Sequence, residues 1–228
     1  MTVYTLITGA TSGIGLAVAR ELSKSKSLVL VGRNRAKLEA IIKEFGGGHL
    51  LFCCDLTEVE LIEGSLLSFL KSGDYRVDKF IHCVGIDQTI PVKSLSGLNI
   101  DALMRINFYS AVEIIKVLIK YSLNRSALKN VLFISSISAV RGFKAKAAYS
   151  ASKAALDAYM RVLAKELAPN VTINSILPGA IPTPMTQSEF NNHDLVKHFE
   201  EVYPLGIGKI QQLVKIIQFY HDTEHLWV

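Results

Sequence analysis

Cysteine is scarce: three residues in 228, with Cys53 and Cys54 adjacent and Cys83 apart. That number excludes a disulfide framework, and no Cys/His spacing suits a bound metal, so none is expected. Long apolar runs are missing too. A spanning helix needs about eighteen or more apolar residues, and the greasiest stretch, 111–121, is interrupted by Glu113, Lys116 and Lys120. The mean hydropathy of +0.30 therefore reports a well-filled interior, and no membrane partner is expected. Nor is there a block of one charge. The 25 Lys and Arg against 20 Asp and Glu give a net +5, but they are scattered, without the basic arm that nucleic-acid binders often carry. No nucleic-acid partner is expected. The start of the chain runs straight from Met1 into an apolar strand and lacks the layout of a signal peptide. A reducing cytoplasm is the expected compartment.

What is present is apolar residues, half of the chain, in short runs at 3–7, 28–31, 50–54, 79–84, 131–135 and 171–177. Such compact runs read as strands covered on both faces. Helical patterns lie between them at 14–25, 35–45, 58–71, 99–123 and 149–168, with a last one near 209–221. The alternation implies an α/β, doubly wound parallel sheet with right-handed crossovers. No linker or repeat divides it, so residues 1–228 read as a single domain. Four of the six prolines fall in 178–208, which shows little clean periodicity. A loop of that length inside a compact domain is usually functional, and 179–208 is expected to be a flap over the site.

Three places carry chemistry. After the first strand comes Thr8-Gly9-Ala10-Thr11-Ser12-Gly13-Ile14-Gly15, opening into a helix. Gly9 permits a sharp turn, Gly13 lets backbone approach a pyrophosphate, and Gly15 lets helix and strand pack closely. The helix N-terminus then offers N–H groups to phosphate. Tyr149 and Lys153, four apart, share one helix face. A phenol is a poor proton donor and acceptor near neutrality unless a cation lowers its pKa by about three units, which a partly desolvated ammonium can do. A surface Tyr–Lys pair has the same spacing and no chemistry. The strand at 131–135 ends in Ser135-Ser136, a serine pair that can simply close a strand. At the end of the second strand Gly32 stands where an acid for the ribose 2′-hydroxyl is expected, and Arg33 follows. A guanidinium suits a 2′-phosphate. NADP(H) is the expected preference, with NAD(H) possible.

The Thr-Gly-x-x-x-Gly-Ile-Gly turn, followed in order by Asp55, Gly85, Asn107, Ser136, Tyr149, Lys153 and Pro178-Gly179, resembles the short-chain dehydrogenase/reductase family over nearly the whole chain. The resemblance implies a Rossmann fold with strand order 3-2-1-4-5-6 and a catalytic set of Asn107, Ser136, Tyr149 and Lys153. Thirteen residues before Tyr149, Ser136 rather than Ser135 takes the substrate-orienting place. Lys153 also binds the nicotinamide ribose, and Asn107 holds a water linking Lys153 to solvent. The implied cofactor contacts are Gly9, Thr11, Ser12, Gly13, Ile14, Gly15, Asp55, Leu56, Gly85, Pro178, Gly179, Ile181 and Thr183, beside Arg33, Tyr149 and Lys153. Asp55 reads equally as the cap of the next helix. His82-Cys83-Val84-Gly85 departs from the family's Asn-Asn-Ala-Gly, which leaves the bracing of that strand open.

The activity implied is hydride transfer between nicotinamide and a small carbonyl or alcohol. A non-catalytic dinucleotide-binding scaffold is the alternative, and a nucleotide-sugar epimerase ranks below it. A homodimer through 99–123 and 149–168 is expected. The chain ends at Trp227-Val228, about where the family's seventh strand begins, so the sixth is expected as an edge. Arg141, Lys144 and Lys146, between Ser136 and Tyr149, suggest steering of an anionic substrate.

Overall fold

Neighbouring side chains on a strand point to opposite faces, so a strand covered on both must be apolar at consecutive positions. Six segments form one sheet in the computed structural model, which describes residues 2–124 and 126–223. They are β1 (Val3–Thr8), β2 (Leu28–Gly32), β3 (Leu50–Cys53), β4 (Arg76–His82), β5 (Asn130–Ile134) and β6 (Thr172–Ile176). All pair in parallel, in the expected order β3-β2-β1-β4-β5-β6.

Alternation along the strands builds two cores. Leu6, Val29, Val31, Phe80, Val131 and Phe133 point to one face; Ile7, Leu28, Leu30, Ile81, Leu132 and Ile134 point to the other. Helices α1 (Gly13–Leu22), α2 (Arg35–Phe45) and α10 (Ile210–Asp222) cover the second face. The first is covered by α3 (Val59–Ser72), α5 (Ser110–Leu118) and α7 (Ala147–Glu166). Among the described residues the less apolar β6, with Thr172, Asn174 and Ser175, is the edge opposite β3. Trp227 and Val228, on which the expectation of a short C-terminus rests, lie outside the described residues.

The strand order reverses between β1 and β4, which opens a crevice at their carboxyl ends, where open α/β sheets bind ligands. Toward the opposite end of the sheet α10 is pinned. His221 Nε2 meets Thr5 Oγ1 at 2.8 Å, Lys79 Nζ donates to the His221 carbonyl at 2.5 Å, and His221 Nδ1 meets Asp222 Oδ1 at 2.9 Å.

Two expected elements differ. The helix at 99–123 is broken into α4 (Gly97–Met104), a π-turn over Arg105–Tyr109, α5, and a short α6 (Tyr121–Asn124). The π-turn centres on Asn107, whose side chain is drawn to the backbone of Ile86; such insertions are frequent at functional sites. The flap at 179–208 is not one irregular loop. It contains α8 (Gln187–Phe190) and α9 (His193–Val202), the latter started by Asn192, whose side chain accepts from the Asp194 and Leu195 N–H groups.

Candidate active site

The crevice begins where β1 turns into α1. Gly9 has φ +67°, and a Cβ there would lie 2.9 Å from the Val84 nitrogen; a Cβ on Gly15 would lie 2.3 Å from the Gly9 carbonyl oxygen. No side chain fits at either place. The first turn of α1 directs the N–H groups of Gly13, Ile14 and Gly15 outward, since a helix start has no internal acceptors for them. Thr11, Ser12 and these three residues line a cavity of about 430 Å3. Its other walls include Arg33, Leu56 and Gly85, and further along Pro178, Gly179, Ile181 and Thr183. A glycine cradle, a helix N-terminus and a long groove ending at polar hydroxyls fit a dinucleotide.

Beneath the cradle Thr8 braces the exit of β4. Its hydroxyl oxygen accepts from the Cys83 and Val84 N–H groups, at 3.1 and 3.2 Å, and so its own proton points to His82 Nδ1, 3.2 Å away. This is the bracing that the departure at 82–85 left open. His82 is held neutral, with its pKa pushed down to about 3 by burial and by the nearby Lys153. Burial pushes the Cys83 thiol up to about 12, which keeps it inert.

Asn107, fully buried, uses its amide on the chain: Oδ1 accepts from the Ile86 N–H at 2.8 Å, and Nδ2 donates to the Ile86 carbonyl at 3.0 Å and to Ser152 Oγ at 2.9 Å. The side chain thus ties the loop after β4 to α7. Lys153 Nζ donates to the Ile134 carbonyl at 3.0 Å, and a Cβ on Gly85 would stand 3.3 Å from it.

Ser136 and Tyr149 line the cavity just described and also a second one of about 660 Å3 beneath the flap. The two hydroxyls stand at the wall between them. Tyr149 differs from expectation: burial pushes its pKa up to about 12, a hydrogen bond with Ser136 pulls it down, and Asp87 and Glu189 push it up. Lys153 is instead the group whose pKa falls, to about 8, through burial. One proton of the Lys153 ammonium goes to Ile134, and Lys153 is not among the groups that shift the phenol.

Arg33 is exposed at the crevice rim and helps hold the Asp55 carboxylate ionised, after the hydrogen bonds from Thr57. Among the described residues Cys54, Leu56 and Thr57 line this end of the crevice and Asp55 does not. Asp55 caps the turn at Thr57, with Oδ1 accepting from its N–H at 3.0 Å and its hydroxyl at 2.8 Å, and not α3 itself, which starts at Val59. The three cations at 141–146 do not act together. Lys146 is held by two carboxylates, Asp87 and Glu189, leaving Arg141 and Lys144 exposed. Sequence reasoning missed Asp87, Glu189 and Thr186. Thr186 Oγ1 accepts from the Thr183 N–H at 3.0 Å and donates to the Ile181 carbonyl at 2.8 Å, which folds the flap base over the crevice. The Thr-x-x-Thr spacing was its signal; the two acids had none.

Residues 4–194 match the family model for short chain dehydrogenase. An uncharacterized oxidoreductase of Staphylococcus epidermidis is 30% identical over 184 residues, which cover 80% of this chain and 79% of that protein. The solved structure of 4-hydroxyisoleucine dehydrogenase complexed with NADH is similar at a TM-score of 0.88 and 27% identity, covering 96% of this chain and 90% of that one. ElxO with NADP bound shares the fold at a TM-score of 0.87 and 22% identity, over 100% and 94% of the two chains. With the family model spanning most of its length, this chain belongs to the short-chain dehydrogenase/reductases, a family of NAD(P)-dependent oxidoreductases.

Proposed function

We propose that the chain is an NADPH-dependent carbonyl reductase, or an alcohol dehydrogenase in reverse, with Tyr149 as its general acid and base. One observation carries this reading: Ser136 and Tyr149 face both the dinucleotide-shaped crevice and the separate cavity beneath the flap. When bound, the dinucleotide supplies the hydride. Tyr149 gives its phenolic proton to the substrate oxygen, and the raised pKa of about 12 keeps that proton in place at neutral pH. Ser136 Oγ accepts from the Ser138 N–H at 3.1 Å, which orients its hydroxyl beside Tyr149, and that proton turns to the substrate oxygen as charge gathers there. Lys153, four residues along α7, holds the nicotinamide ribose, and Asn107 fixes α7 against the loop after β4. The turn Gly9–Gly15 takes the pyrophosphate, Leu56 flanks the adenine at a turn that Asp55 caps, and Gly179, Ile181 and Thr183 take the carboxamide.

Gly32 and Arg33 support the 2′-phosphate. NADH, bound by the similar 4-hydroxyisoleucine dehydrogenase, is the second usable cofactor. NADPH consumption over a panel of ketones and aldehydes tests the whole reading: the expected result is turnover with a lower KM for NADPH than for NADH. Arg33→Asp is expected to reverse that cofactor preference, by placing a carboxylate where the phosphate sits. Absence of turnover with every carbonyl, while NADPH binds, selects the scaffold alternative.

A homodimer through α4, the π-turn, α5 and α7 fits the apolar side chains left exposed on α4, the π-turn and α7, namely Leu98, Ile100, Tyr109 and Val162. Light scattering is expected to give twice the 25.1 kDa chain mass. The three free cysteines support a reducing compartment such as the cytoplasm. Among the described residues no helix is long and apolar enough to cross a membrane.

A further inference from the structure

The cavity beneath the flap has two kinds of wall. One is aromatic, from Phe143, Tyr203 and Phe199, the last two with ring centroids 6.1 Å apart. The other is ionic. Lys146 Nζ donates to Asp87 Oδ2 at 2.5 Å and to Glu189 Oε1 at 2.7 Å, joining the loop after β4, the start of α7, and α8 of the flap. The three side chains are only 14, 13 and 25% exposed.

One ammonium between two carboxylates leaves a net charge of −1 in a site that is partly dry. It also leaves acceptors in excess of donors. Two of the three Lys146 protons are used on two carboxylate oxygens, and Asp87 Oδ1 is buried with no hydrogen-bond partner among the described residues. An acceptor left in that state costs stability unless a donor reaches it. The field of the carboxylates extends to the reacting group, since Asp87 and Glu189 both strengthen the hold of Tyr149 on its proton. Lys144 lines the same cavity, but it and Arg141 are exposed, so water screens their charges more than those of the partly buried trio.

We propose that Asp87 and Glu189 are specificity-determining residues, and that the cavity selects carbonyl compounds carrying an ammonium group on an apolar body. The ammonium is drawn to the excess negative charge of the two acids that line the cavity, and the aromatic wall takes the apolar part and the face of the cation. A carboxylate or phosphate at the same place meets net negative charge. The carbonyl half of this assignment rests on the reductase reading, whereas the selection by charge stands on the cavity alone.

The test uses the full chain with NADP+ present and three matched probes, benzylamine, benzyl alcohol and benzoate, titrated by NMR at neutral pH. Benzylamine is expected to bind about tenfold or more tighter than benzoate, the scale of one charge-assisted hydrogen bond, with benzyl alcohol between them. Glu189→Gln, which leaves Lys146 paired with Asp87, and separately Asp87→Asn are each expected to narrow the ratio to about threefold or less. Benzoate binding as well as benzylamine, no probe binding, or a ratio unchanged in both variants overturns the proposal. NADPH oxidation with uncharged benzaldehyde is read in parallel. Turnover of benzaldehyde with a flat probe series removes only the charge selection; probes sorted by charge with no carbonyl reduced remove only the reductase reading.

Discussion

Tyr149→Phe is expected to lower kcat for carbonyl reduction by about 10²–10⁴, the usual contribution of a positioned general acid, while NADPH affinity stays within about a factor of two. The phenyl ring keeps its place between the two cavities, and only the hydroxyl that meets Ser136 is lost. Stopped turnover with intact cofactor binding separates a chemical role from a structural one. A variant keeping more than about a tenth of the wild-type rate refutes the assignment. The raised pKa also makes the two directions unlike in pH. Reduction needs the protonated phenol, which persists until pH approaches about 12, so its rate is not limited by loss of that proton across the neutral range. Oxidation needs the phenolate and is expected to accelerate steadily as the solution becomes alkaline. Initial rates in both directions across pH 6 to 10 check the contrast.

Acid is expected to weaken the fold by about 4 kcal/mol between pH 7.5 and pH 5, from two buried histidines at opposite ends of the sheet. His82 and His221 are 0 and 2% exposed, and burial pushes their pKa values down to about 3 and about 4. In the unfolded chain both return to about 6.5, so below that pH the unfolded state binds more protons and gains on the native one. The stabilisation is complete above pH 6.5, falls as pH drops toward 4, and levels off for each histidine below its folded pKa. At pH 5 each contributes about 2 kcal/mol of the loss. Urea unfolding at the two pH values measures the difference, and His221→Gln is expected to remove about half of it. Equal stability at pH 7.5 and 5 in the wild type contradicts the neutral, buried state of both rings.

The sheet and the cradle were legible because their causes are local. Runs such as 28–31 must be strands when every residue is apolar, and Gly9 and Gly15 are demanded by a turn within seven residues of chain. What escaped was set by groups distant in sequence. The π-turn around Asn107 follows from hydrogen bonds to Ile86, 21 residues away. Lys153 donates to the Ile134 carbonyl, 19 residues away, and Tyr149 is governed chiefly by burial. The Asp87–Lys146–Glu189 group is assembled from three segments, none of which shows a pattern of its own. Helix α9 is a different case. Leu195, Val196, Phe199 and Val202 recur at helical spacing after Asn192, a signal present in the sequence but hidden between Pro184 and Pro204.

The way Asn107 is bonded bears on the economy of each catalytic cycle. Three of the four hydrogen bonds that its amide can make go to the chain, which fixes the orientation of the side chain. The loop carrying Gly85 and the helix carrying Tyr149 and Lys153 therefore keep a constant separation while charge grows on the reacting oxygen. In water, solvent dipoles must rotate to meet such charge, and that reorganisation is a large part of the barrier; dipoles already oriented avoid it. On the reductase reading, that ordering is completed when the chain folds, before any substrate arrives.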